Sequence, residues 1–312
     1  APVVNLLRQA ATDKDVLAIK ITLYRTGSDS PLVQALIDAA KNGTDVTAVV
    51  ELRARFDEAA NIDLATRLQA VGANVVYGVV GYKAHAKMLM IVRREGRELR
   101  RYVHLGTGNY HSGTAKAYTD WGLMSSDPDL GEDMNRTFQM LTGLGQAAKL
   151  VKFLVAPFTL HRTLLGLIDF EITEAKAGRP SHIAAKLNSL SEKRVIDKLY
   201  EASQAGVRVD LVIRGVCCLR AGVRHLSENI RVRSVVGRFL EHSRVYFFLA
   251  AGERRLYCSS ADWMTRNLVR RVEVAFPIEE PELKSRVIRE SITLGMDDNE
   301  QAWALLPDGS YE

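Results

Sequence analysis

The chain has 312 residues, 47% of them hydrophobic and 25% charged, and a net charge of +5. That length exceeds one ordinary core, so two domains are the default, and this balance of apolar and charged residues excludes a disordered or fibrous chain. No apolar run reaches membrane-spanning length and no signal-peptide pattern opens the chain, so a cytoplasmic protein is expected.

In chain order "APVVNLLRQAA" looks like part of a helix, and the strand "VLAIKITLY" (16–24) follows. A helix follows over 32–42, where Leu32, Ala35, Leu36, Ala39 and Ala40 fall on one face and Asn42-Gly43 closes it. Val46 to Leu52 reads as the next strand. Then come "GANVVYG" (72–78), "YKAHAKMLMIV" (82–92) and "RYVHLGTGNY" (101–110), all strand-like. Residues 127–180 hold an acidic, turn-rich loop and a helix over 158–178, and the domain boundary falls near 150. The predicted domains are therefore 1–150 and 151–312.

From residue 182 the pattern starts again. "HIAAKLNSL" (182–190), "RVIDKLYEASQAGVRVDLVIRGVC" (194–217), "NIRVRSVVG" (229–237), "EHSRVYFFL" (241–249) and "RRLYCSSADW" (254–263) retrace the first pass. Gly43 precedes Val46 by three residues, as Gly206 precedes Val209. Gly106 precedes Asp120 by 14, as Ser259 precedes Glu273. Lys20 is set opposite Lys186, although their spacings to the glycines, 23 and 20, differ. Strands alternating with helices predict two similar α/β domains, each a mixed, mostly parallel sheet covered by helices. Cys217, Cys218 and Cys258 form no metal spacing and read as reduced core thiols.

The chemistry lies where the passes align. His85-Ala86-Lys87 meets His242-Ser243-Arg244, each a histidine and a cation two apart at the start of an apolar strand, hence on one face. About twenty residues on, "HLGTGN" meets "YCSSAD", small residues ending in Asn109 or Asp262. Phosphoryl or phosphatidyl transfer wants this set: one neutral imidazole attacks phosphorus, and a protonated one serves the leaving oxygen. Lys87 and Arg244 would stabilise the equatorial oxygens. Asp120 and Glu273, at matching positions, are the candidates for the carboxylate behind each ring. Arg25, Arg55, Arg214 and Arg271 flank the strand-like segments and suit phosphate oxygens. No stripe of aromatics interleaved with basic residues marks a nucleic-acid platform, so no nucleic-acid partner is expected.

The doubled pattern resembles the phospholipase D superfamily, with departures: Val92 stands five residues after Lys87, where the family carries an aspartate, and Arg244 takes a lysine's place. From Val16 onward it is similar to polyphosphate kinases of the histidine-phosphorylating class, on "VLAIKITLYR", "VVELRARFDEAANI", "KAHAKM", "HLGTGNY", "YTDW", "LVIRG", "LEHSRVY" and "SSADWMTRN". The resemblance implies two phospholipase D-like catalytic domains with the active site between them. It implies reversible transfer of the terminal phosphate of ATP to inorganic polyphosphate, with Mg2+. His85 would be the phosphohistidine nucleophile and His242 its acid/base partner near the nucleotide. Tyr118 and Arg214 would contact ATP, and Asn109 and Arg271 would help bind phosphate. Arg25 and Arg55 match positions the family associates with Mg2+; a guanidinium has no lone pair for a metal, so both read as phosphate clamps. The resemblance further implies a homo-oligomeric full-length protein of which this chain is the C-terminal half, inactive or weak in ATP binding by itself. Peripheral membrane association stays open on this reading. The alternatives are a phospholipase D-like phosphodiesterase and an inactive polyphosphate-binding module.

Overall fold

The computed structural model describes residues 2–26, 30–52, 58–78, 81–143 and 149–312. By contact density the chain divides into two units, Ala1–Lys116 with Trp121–Phe153, and Ala117–Asp120 with Leu154–Glu312.

In chain order the first stretch holds α1 (Pro2–Thr12), β1 (Val16–Leu23), α2 (Pro31–Lys41), β2 (Asp45–Val50), α3 (Glu58–Ala70) and β3 (Asn74–Val76). It continues with β4 (Lys83–Ala84), β5 (Lys87–Glu95), β6 (Glu98–Gly106), α4 (Thr114–Ala117), β7 (Tyr118–Thr119), β8 (Gly122–Ser125) and α5 (Pro128–Leu141). Local chemistry sets the helix ends. Ser30 caps α2 by accepting from the Leu32 N–H, with Pro31 in the first turn, and Asp127 and Pro128 repeat the arrangement at α5. Past α2, Gly43 takes φ 90°, a left-handed conformation that glycine adopts without a Cβ penalty.

The sheet of the first unit runs β3-β2-β1-β5-β6-β8. β3, β2 and β1 are parallel, and β5, β6 and β8 are each antiparallel to the strand before them. On one face Ile19, Ile21, Val46, Ala48, Leu89 and Ile91 form a core with Leu7, Leu36 and Leu64 of the helices. Each such buried Val, Leu or Ile side chain contributes about 1.5–3 kcal/mol. α5 packs against β5 and β6.

The second unit comprises β9 (Leu154–Ala156), α6 (Leu160–Lys176), β10 (His182–Leu187), α7 (Lys193–Gln204), β11 (Arg208–Ile213), β12 (Ile230–Val235), β13 (Leu240–Glu241), β14 (Arg244–Phe248) and β15 (Arg255–Ser259). It ends with α8 (Thr265–Arg270), β16 (Arg271–Pro277), α9 (Pro281–Ile288), a π-helical turn over Arg289–Thr293, α10 (Leu294–Asp297) and β17 (Ala302–Ala304). β12, β11 and β10 are parallel, and β14, β15 and β16 continue antiparallel. β17 adds antiparallel to β12, and β9 to β16. The core joins Leu164 and Ile168 of α6, Val195 and Leu199 of α7, and Ile183, Leu211, Phe248 and Trp263.

The two units share one topology, which is the mixed α/β sheet expected. Parallel pairing, expected to dominate, holds for three strands in the main sheet of each unit, and for the short pair β7 and β13. The reason is connection length: β5 and β6 are joined across Gly96 and Arg97 alone, and so short a link permits only antiparallel neighbours. The cysteines also differ from expectation. Cys258 is buried, but Cys217 is half-buried and Cys218 exposed, because β11 ends at Ile213 and both lie in the loop beyond. No described helix is long and apolar enough to cross a membrane.

Candidate active site

Strand registers fix which residues correspond. Lys87 pairs with Gly106 and Gly106 with Gly122; Arg244 pairs with Ser259 and Ser259 with Ala275. His85 and His242 therefore hold the same place in each unit, as do Asn109 and Asp262, and Asp120 and Glu273. One alignment fails. Thr22 pairs with Val49, and Lys186 with Val212, which is the counterpart of Val49. Lys186 thus matches Thr22 and not Lys20. Identical residue type had drawn the earlier match, whereas the ladder, with a period of two, decides which side chains share a face.

In the first unit, β5 carries Lys87 with its side chain buried, and the ammonium donates to the His85 carbonyl at 2.5 Å. A cation there is held by that bond and by the face of Tyr24, whose ring lies 5.6 Å from the Lys87 Nζ. The same ring meets His85 edge-on at 5.0 Å and has the Arg25 guanidinium 5.5 Å away. Arg25 adopts φ 53°, a conformation that costs a non-glycine residue about 1 kcal/mol. Tyr24 is thus the hub of the His85 side. Glu51, just past β2, accepts the Ala84 N–H at 2.8 Å and anchors the strand before His85.

The turn after β6 is held by Thr107, whose N–H donates to the Trp121 carbonyl at 3.0 Å and whose hydroxyl accepts the Trp121 N–H at 2.9 Å. The Asn109 Oδ1 is buried and has no hydrogen-bond partner among the described residues. His104 bonds the Tyr110 hydroxyl through Nδ1 at 2.9 Å, and burial pushes its pKa down to about 4, so the ring is neutral at pH 7. A Cβ at Gly122 would stand 2.7 Å from the His104 Nε2, so only glycine fits beneath that ring. Arg55 lies outside the described residues.

In the second unit the ring of His242 is held from both sides. Both oxygens of Asp120 lie 2.9 Å from its Nδ1, which places the proton on Nδ1 and leaves Nε2 as the basic atom, 3.2 Å from Arg244 Nη1. Arg244 is buried and also donates to the His242 carbonyl at 3.0 Å and to Asp262 Oδ2 at 3.0 Å. Asp262 accepts the N–H groups of Asn188 and Ser189 at 2.6 and 3.2 Å. Burial opposes its ionisation, but the charge and hydrogen bond of Arg244 and those two N–H groups outweigh burial and hold its pKa below the usual range. Asn188 donates to the His242 carbonyl at 3.0 Å and accepts from Arg214 Nε at 2.7 Å; Arg214 also reaches the Glu241 carbonyl. Burial and the like charge of Arg244 lower the Arg214 pKa. The Tyr118 ring lies 5.1 Å from that of His242. Tyr118 and Arg214 also line a cleft of about 540 Å³ with Gly237, Arg238 and Phe239.

Within this unit, then, Asp120 is the carboxylate on the His242 ring. Glu273 is buried and accepts from the Ser260 hydroxyl at 2.5 Å and from Asn267 Nδ2 at 2.6 Å. Arg271 stands half-buried at the start of β16. Sequence reasoning passed over Asn188, Lys186 and Glu51. The signal was there in part: Lys186 is the one charge inside the apolar run from Ile183 to Leu187. Among the described residues no three His, Cys, Asp or Glu side chains gather as a metal site, and neither arginine associated with Mg2+ has a lone pair to offer. The described side chains supply no all-protein cage for Mg2+.

The paired topology, with a histidine and a cation at the head of the central antiparallel strand in each unit, defines a phospholipase D-like fold. Phosphatidylserine synthase from Haemophilus influenzae shares it, with a TM-score of 0.60 at 12% identity over 93% of this chain and 84% of that one. The model of polyphosphate kinase C-terminal domain 1 matches residues 1–147, and that of C-terminal domain 2 matches residues 153–312. The chain belongs to the polyphosphate kinase family. It is 58% identical over 311 residues to the polyphosphate kinase of Pseudomonas aeruginosa, covering 100% of this chain and 45% of that protein. With the Xylella fastidiosa polyphosphate kinase the figures are 60% over 309 residues, 99% and 44%. The crystal structure of the Porphyromonas gingivalis polyphosphate kinase superposes with a TM-score of 0.92 at 37% identity, over 99% of this chain and 47% of that one. The chain thus spans under half the length of these relatives.

Proposed function

We propose that these residues form the catalytic part of an ATP:polyphosphate phosphotransferase that works through a phosphohistidine on His85. The observation that carries the reading is the register that puts His85 and His242 at one place in two copies of one fold, each with a cation two residues on. In the first step a neutral nitrogen of His85 attacks the terminal phosphorus of ATP. The N–P bond forms, the bond from phosphorus to the bridging oxygen breaks, and ADP leaves with that electron pair; His242, oriented by Asp120, supplies a proton to the leaving oxygen. In the second step a terminal oxygen of polyphosphate attacks the phosphorus and the N–P bond breaks, restoring His85, and His242 recovers its proton from solvent.

Lys87 beside His85 suits a phosphate oxygen, and the Asp120–His242 pair suits proton transfer. Arg25 and Arg55 are assigned as phosphate clamps, with Arg271 and Asn109 as further phosphate contacts and Glu273 as a buried support. Tyr118 and Arg214 are assigned to ATP. Mg2+ enters as the counter-ion of the nucleotide substrate. Residues 1–150 and 151–312 are assigned as the two catalytic domains of a cytoplasmic homo-oligomer.

The test is labelling of the full-length protein with ATP carrying a radioactive terminal phosphate. The wild type should acquire acid-labile, alkali-stable label, and His85→Ala none. Equal labelling of His85→Ala would defeat the assignment. Hydrolysis of bis-(p-nitrophenyl) phosphate without ATP, lost in His85→Ala, would replace it with a phosphodiesterase.

A further inference from the structure

Asp120 reaches His242 on a short strap, Tyr118 to Asp120. β7 pairs in parallel with β13, Tyr118 opposite Leu240 and Thr119 opposite Glu241. Two residues hydrogen-bonded side by side are a weak attachment on their own. The strap is held further by Thr119. Its carbonyl accepts the Ser243 N–H at 2.9 Å, its hydroxyl donates to Glu241 Oε2 at 3.0 Å, and the same hydroxyl accepts the His242 N–H at 3.3 Å. Behind Glu241 stands Lys186 of β10. Its side chain is buried, its ammonium forms an ion pair with the Glu241 carboxylate, and it lies 3.4 Å from the Thr119 hydroxyl.

A buried ammonium is costly unless paired, so this lysine is not a neutral filler of the sheet. Its counterpart in the first unit, Thr22, spans a different need: its hydroxyl donates to the Ala86 carbonyl at 2.7 Å and accepts the Met88 N–H at 3.0 Å. The ammonium is present only in the unit that receives the strap. We propose that Lys186 is a positioning residue: through Glu241 and Thr119 it fixes the strap so that Asp120 stays on His242 Nδ1. The proposal rests on the reading of His242 as the acid/base group. The groups facing His242 are Asp120 at Nδ1, Arg244 at Nε2 and the Tyr118 ring, with Arg214 and Asn188 on the adjoining backbone. Of these, Asp120 is the anion, and an anion beside an imidazole favours its charged form. If the strap loosens, His242 gives up its proton at lower pH.

The experiment uses the full-length protein and the rate of ATP-dependent polyphosphate synthesis against pH. Lys186→Met should lower kcat roughly tenfold or more and move the alkaline limb of the profile down by about one pH unit, with KM for ATP little changed. Thr119→Val cuts the same link without leaving a buried charge, and should move the limb the same way even if Lys186→Met folds poorly. Lys186→Arg should restore most of the rate. Asp120→Asn should lower the rate at least as far, and adding Lys186→Met to it should cost little more. An unmoved limb in Thr119→Val and Lys186→Met, or fully additive losses in the double variant, would overturn the role of Lys186. A wild-type rate and profile in Asp120→Asn would instead overturn the acid/base reading of His242 on which it rests.

Discussion

The buried pair of Arg244 and Asp262 gives the sharpest quantitative test. Asp262→Asn keeps the shape of the side chain and one carbonyl oxygen for the N–H groups of Asn188 and Ser189, but leaves the buried Arg244 guanidinium without its counter-charge. It also reproduces the residue that the first unit carries at the matching place, Asn109. Removing one member of a buried pair costs about 3–5 kcal/mol. The retained oxygen puts this case at the low end, about 3 kcal/mol, and a domain of this size loses roughly 2–4 °C per kcal/mol, so the melting midpoint should fall by roughly 6–12 °C. The folded-state pKa of Asp262 is depressed below that of the unfolded chain. Its stabilisation is therefore fully present above about pH 4 and lost as pH falls through the folded value. Thermal melts by circular dichroism should show the full gap between wild type and Asp262→Asn at pH 7 and a shrinking gap below pH about 4. The double change Arg244→Met with Asp262→Leu, which removes both charges of the pair, should be less destabilised than Asp262→Asn alone. A gap under about 1 kcal/mol at pH 7, or one that persists at low pH, would refute the electrostatic argument.

Two further outcomes follow from close contacts and burial. With its pKa pushed down to about 4, His104 binds a proton in the unfolded chain before the folded one does, so stability should rise by up to about 3 kcal/mol between pH 4 and 6.5 on this account. Urea midpoints at pH 4.5 and 7 should converge in His104→Gln if that is right. At Gly215 an added Cβ would meet the Asn188 carbonyl oxygen at 2.7 Å, and this neighbour is backbone and cannot swing away. Gly215→Ala should destabilise by roughly 1–3 kcal/mol and, by moving Asn188 off Arg214, raise KM for ATP in the full-length protein; an unchanged melt and KM would contradict it.

The sequence by itself determined the repeat, the strands and helices, and the two histidines with their cations, because each of these is written in local spacing. An apolar stripe every three or four residues makes a helix whatever it packs on, and a histidine two residues from a cation shares its strand face. The 14-residue spacing to Asp120 and Glu273 was legible for the same reason, and the register agrees with it. What local spacing does not carry is pairing between segments far apart in the chain. Thr22 and not Lys20 answers to Lys186 because ladder register, and not residue identity, sets the correspondence. The balance of parallel and antiparallel strands rested on connection lengths and on which strands became neighbours. Asp120 was legible as a carboxylate for a histidine, but only tertiary structure decided that it serves His242, 122 residues away, on a strap that groups with the second unit. Asn188 and Glu51 look like ordinary strand-end residues in the sequence, and Lys186 shows only as a lone charge in an apolar run. They became part of the site because the sheet placed their polar atoms within hydrogen-bonding or ion-pairing reach of partners more than thirty residues distant.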